Sequence, residues 1–176
     1  MKRYLALILT IVMALGAFTA CGKDKSADNA LADKGLDEIL AAVYEKKTPE
    51  FKLTDTKVDL TDENMAVYFT GLSKEDGEKV EEALASEPAM SSQAYSLVLL
   101  RVKDEKDAQA IAAAVKDGVD TRKWICVEAD DVRACAHGDV VMFIMMSSEF
   151  ADSLTADQMV EAFKETAGGS LSVDLK

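Results

Sequence analysis

Apolar positions along the chain recur with helical spacing in some stretches and alternate, or run unbroken, in others. Leu36, Ile39, Leu40, Val43 and Tyr44 fall on one helical face, with Asp37, Glu38 and Glu45 elsewhere. Thr48-Pro49 ends that helix, because a residue before proline avoids helical geometry. A short extended piece covers 51–58, and a second helix starts at Thr61. Leu60 and Met65 have the spacing of a hydrophobic staple. Met65, Tyr68 and Phe69 supply its inner face, and Gly71 stops it.

The charged stretch 74–82 turns on Gly77. From Val80 to Ala85 the alternation predicts a strand, although an Ala/Glu-rich helix fits nearly as well, and Glu87-Pro88 closes it. Tyr95 to Val102 reads as a buried strand behind the polar run Ser91-Ser92-Gln93. Asp104 caps a third helix with Ala108, Ile111, Ala112 and Val115 inside and Gly118 just beyond its end.

Trp124 to Met146 is the most patterned part. With Asp130-Asp131 as a two-residue turn, Glu128 lies opposite Arg133, Val127 opposite Ala134, Cys126 opposite Cys135 and Ile125 opposite Ala136. One face then carries Ile125, Val127, Val132, Ala134 and Ala136, which suits a core. Trp124, Cys126, Glu128, Arg133, Cys135 and His137 take the other, and a slip of one residue breaks this separation. His137-Gly138 makes the next turn, and Val140 to Met146 is apolar enough for a central strand. In a last helix Thr155 and Gln158 form a capping box, Leu154 and Met159 a staple, and Val160 and Phe163 complete the buried stripe. The sum is an α+β fold: an antiparallel sheet of about five strands with helices mainly on one face.

The N-terminus follows a different rule. Lys2 and Arg3, an apolar stretch from Leu5 to Leu15 and small residues after it have the three regions of a secretory signal peptide. Thr19 and Ala20 before Cys21 resemble the lipobox of bacterial lipoproteins, with Phe18 standing where an aliphatic residue is usual. That resemblance implies a thiol of Cys21 alkylated with diacylglycerol, a cut just before it, and anchoring by two acyl chains at the outer face of the cytoplasmic membrane. An uncleaved anchor, needing about twenty apolar residues, and plain secretion are the alternatives. The organisation is then a signal peptide over 1–20, a polar tether over 21–31 and a single domain over 32–176.

Charge narrows the partners. The chain has 20 basic and 32 acidic residues, a net −12 that becomes −14 once Lys2 and Arg3 are removed. This excess disfavours nucleic acid and anionic headgroups, which need a basic patch, and keeps an exported domain soluble.

Candidate chemistry is sparse. The acids Asp55, Asp59, Asp62 and Glu63 invite a calcium-loop reading. It fails because Lys57, Leu60 and Ala66 occupy the positions of a ligand, the turn glycine and the closing glutamate. No zinc spacing, phosphate loop or catalytic constellation is present, and no cofactor is expected. His137, the only histidine, belongs to a solvated turn. Cys126 and Cys135 face each other in the expected register, so they form either a disulfide or a pair of small reduced thiols. Trp124, with Glu128 and Arg133, marks either a binding surface or ordinary packing.

Ser86-Glu87-Pro88 through Tyr95-Ser96-Leu97-Val98-Leu99, together with 122–129, resembles the domain of unknown function 4358 family of small Gram-positive lipoproteins. The resemblance implies an exported, lipid-anchored protein and carries no catalytic residue over. Two functions are compatible with these residues. One is a non-enzymatic module binding a protein, a wall component or a small ligand. The other is a redox-active or hydrolytic enzyme using Cys126, Cys135 or His137. A well-formed apolar pocket favours the ligand version of the first, and a flat exposed sheet face favours a protein partner.

Overall fold

The computed structural model describes residues 29–176; the signal peptide, Cys21 and most of the expected tether lie outside the described residues. The described chain is α+β. Its strands β1 (Leu53–Lys57), β2 (Val80–Pro88), β3 (Tyr95–Val102), β4 (Asp131–His137), β5 (Val140–Met146) and β6 (Val173–Leu175) form one antiparallel sheet. Their spatial order is β1-β2-β3-β5-β4-β6. The helices are α1 (Leu36–Lys46), α2 (Glu63–Thr70), α3 (Lys74–Gly77), α4 (Ala108–Gly118) and α5 (Ala156–Thr166).

β3 and β5 hold the middle, and every residue of both is buried. Since neighbouring side chains on a strand point to opposite faces, burial throughout requires cover on both. Leu97, Leu99, Met142 and Ile144 pack against α1 and α5. Val98, Leu100, Val141 and Phe143 pack against α4. The helices are thus shared between two faces rather than held mainly on one, and the sheet has six strands instead of about five. Among the described residues, the two central strands therefore present no open face to a partner.

Several local expectations are met. β2 is a strand, β3 and β5 have the expected limits, and the Thr155/Gln158 capping box is complete. Asp104 caps a 3-10 turn, Glu105–Asp107, that leads into α4. The cap of α2 is Asp62, one residue later than expected; its carboxylate accepts from the backbone N–H of Asn64 and Met65.

The chain enters the fold at one end of the sheet. The Asn29 side chain donates to Asp139 at 3.2 Å, and Leu31 is fully buried, so residues 29–31 belong to the fold rather than to the tether. Gly138 turns there with φ +57°, and a Cβ on it would lie 2.1 Å from the Asn29 amide. Arg101 closes this end by pairing with Asp139 at 2.6 Å and Glu82 at 3.3 Å while donating to the Lys34 carbonyl.

The expected hairpin from Trp124 is the main correction. Residues 124–130 are not a strand, and Cys126 stands at φ +63°, a left-handed conformation that a strand cannot hold. β4 is flanked by β5 and β6, so Cys135 sits opposite Met142 and Asp174. The 119–130 segment instead crosses the end of the sheet, tucking in Trp124 and Ala129.

Candidate functional site

The site grows from the connection between β1 and β2. α2 has the composition of a surface helix: Ala66 and Thr70 are its buried residues, Met65 and Phe69 are half-buried, and Val67 and Tyr68 are 55% and 44% exposed. Tyr68 therefore does not join the inner face expected of it. A helix that buries so little leaves space beside it. Between α2, α3 and the edge of β2 lies a cavity of about 710 Å³, floored by Leu60, Ala66, Val67, Leu72 and Val80. Thr61, Ser73, Lys74 and Lys103 stand among its polar rim. On the other flank of α2 a hollow of about 440 Å³ reaches Val67, Tyr68, Asp120 and Lys123.

One cation fixes the far end of α2. Lys123 projects from the 119–130 segment, its side chain only 3% exposed, and its ammonium lies 2.5 Å from Glu87 on β2. It also donates to the Tyr68 carbonyl at 3.2 Å and lies 3.5 Å from the Ser96 hydroxyl. The rings of Tyr68, Phe69 and Trp124 surround it at 4.6, 5.4 and 5.5 Å from their centroids, within the range of cation–π attraction. Burial lowers the Lys123 pKa from its ordinary value, and Glu87 opposes that shift. Burial, and next the Glu87 charge, raises that of Tyr68. Ser96 donates to Glu87 at 2.6 Å, so the carboxylate is held from both sides.

Gly71 follows α2 at φ +67° and touches Gly118 at the end of α4. A Cβ on Gly71 would come within 2.2 Å of the Gly118 backbone, and one on Gly118 within 2.3 Å of the Gly71 carbonyl oxygen. Gly118 therefore serves close approach, with no left-handed φ of its own.

The residues singled out by sequence are scattered. Trp124 is buried against the α4 side of the core. Glu128 is exposed and pairs with Arg122 at 2.7 Å, not with Arg133. Arg133 is buried in the sheet, pairing with Asp157 and Asp174 and donating to the Leu175 carbonyl. Cys126 is exposed and Cys135 fully buried, both as free thiols, so the cross-strand disulfide is not formed. Burial drives the Cys135 pKa far above the usual thiol range. His137 ends β4 and is buried, rather than solvated in a turn. Cys135 and His137 are buried two residues apart on β4, whereas Cys126 is exposed on the 119–130 segment. Among the described residues no group of three or more His, Cys, Asp or Glu is placed to hold a metal ion, and no helix is long and apolar enough to cross a membrane.

Sequence reasoning misses Lys123, although its aromatic neighbour Trp124 and the nearby Tyr68-Phe69 pair are visible in the chain. Nothing local indicates that residues 55 positions apart meet. No family model matches the chain, and neither a curated protein nor a solved structure is similar to it.

Proposed function

We propose that this is an exported protein, lipidated at Cys21 and held at the outer face of the cytoplasmic membrane, whose domain binds a small, mainly apolar ligand without transforming it. The observation that carries the binding role is the cavity beside α2. Its volume of about 710 Å³ lies within the usual range for small-molecule sites, roughly 300–1,000 Å³. Its floor is aliphatic, while hydroxyl and charged groups stand at its rim, which is the division that fits an apolar body with a polar end. The anchor rests on the lipobox-like Thr19-Ala20-Cys21 behind the basic and apolar regions of a signal peptide. An enzyme working through Cys126, Cys135 or His137 requires those groups to be exposed together, and the burial of Cys135 and His137 away from the exposed Cys126 gives that reading no support.

The anchor is tested by the intact mass of the membrane-extracted chain beside a Cys21→Ala variant. Loss of residues 1–20 with gain of a diacylglyceryl mass in the wild type alone supports it; an uncut, unlipidated wild-type chain overturns it. The cavity is tested with indole as the probe and methyl NMR of the lipidated chain in nanodiscs as the readout. Saturable shifts of the Val67, Leu72 and Val80 methyls, with Leu97 and Leu99 unmoved and the effect lost in Ala66→Trp, are expected. Shifts that do not saturate, or that survive Ala66→Trp, sink the proposal.

A further inference from the structure

We infer that α2 is a movable wall of the cavity and that Lys123 is the latch that holds that wall in place, an inference that rests on the cavity being the binding site. Three independent features meet here. The first is how little holds α2 to the sheet. Of its eight residues, Ala66 and Thr70 are buried and Met65 and Phe69 pack half-buried on the core, while hollows flank the helix on both sides, each reaching Glu63 and Val67. Segments with few buried apolar contacts open at a fraction of the global unfolding cost. Val67, an aliphatic side chain 55% exposed between two hollows, gains cover if the helix shifts toward either.

The second feature is the latch. The Lys123 ammonium joins α2 to the rigid part of the fold. It meets the Tyr68 carbonyl and the Tyr68 and Phe69 rings on one side, and Glu87 and Ser96 of β2 and β3 on the other. A charge-assisted hydrogen bond is stronger than a neutral one, and here it acts on the last turn of the helix. The third is the pivot. Gly71, in the left-handed region, and Gly118 bring two backbones into contact just beyond that turn. That contact keeps the α2–α4 junction in place, while the helix ahead of it shifts once its last turn is released from Lys123. Freeing the latch lets α2 move off the cavity and widens the way in for the ligand.

The test is hydrogen–deuterium exchange on the lipidated chain in nanodiscs, comparing wild type with Lys123→Met, alongside the rate of indole entry from methyl line shapes. Lys123→Met is expected to speed exchange across residues 63–70 by about tenfold, leaving β3 and β5 protected, and to speed indole entry. Unchanged exchange in α2 overturns the latch. If Lys123→Met loosens every element together, Tyr68→Leu decides, since it removes a ring from the cation while keeping the Glu87 pair. Acceleration confined to α2 then supports the latch, and none refutes it. Faster α2 exchange without saturable indole binding in any variant leaves the latch standing and removes the binding reading. Saturable indole binding with α2 exchange unaltered does the reverse.

Discussion

At the scale of single residues, burial decides which groups can react. Cys126 is exposed and Cys135 is enclosed between β5 and β6 with its pKa pushed far up, so only Cys126 is open to a thiol reagent. Iodoacetamide on the native chain lipidated at Cys21 is expected to label Cys126 alone, and both Cys126 and Cys135 after denaturation without reductant. Two unreactive thiols in the denatured, unreduced chain contradict this. Tyr44 and Tyr95, hydroxyl to hydroxyl at 3.2 Å, carry a second consequence. Burial first, then the nearby Asp55 charge, raises the Tyr44 pKa to about 12 against hydrogen bonds from Ser86 and Tyr95 that lower it. Because the folded pKa exceeds the unfolded value near 10, both states keep the proton below pH 10 and the stabilisation is complete. Between pH 10 and 12 the unfolded chain releases it first, and stability falls. Burial of Lys123 acts with the opposite sign as pH approaches the ordinary lysine range, so the comparison is made within a pair. The urea midpoint of wild type is expected to drop more between pH 9.5 and 11.5 than that of Tyr44→Phe; equal drops remove Tyr44 as a cause.

At the scale of elements, contact between two glycines matters more than either helix's propensity. Ala is ordinarily the better residue at a helix end such as Gly118, yet a methyl there meets the Gly71 carbonyl at 2.3 Å. Gly118→Ala is expected to cost about 2 kcal/mol, lowering Tm by roughly 5 °C. A Tm at or above wild type in a calorimetric scan shows that the junction yields without cost. The elements also mark where sequence reading works. Continuous apolar runs locate β3 and β5, and polar partners three residues apart locate the capping box of α5. Continuous runs further imply cover on both faces, which is how α1 and α5 come to oppose α4. The failures have physical causes. Ile125, Val127 and Ala129 alternate like a strand, but β4 already has β5 and β6 for neighbours, so 124–129 has no ladder to join. The β6 signal, Leu171, Val173 and Leu175 at every second position, is short enough to pass for the end of a loop. Lys123 leaves no local mark, because its role depends on Tyr68, Glu87 and Ser96 arriving from three other segments.

At the scale of the whole molecule, the sheet is closed by its two outermost strands. β1 lies along β2 with Asp55 and Lys57 exposed, and β6 is three residues long, its Asp174 tied to Arg133. Short or charged margins of this kind are poor templates for further strand pairing. For a chain held in a membrane leaflet as proposed, neighbours share a plane and meet far more often than they would in free solution. Blunt margins then give crowded copies no edge to zip along, so each sheet ends where its own outer strands end.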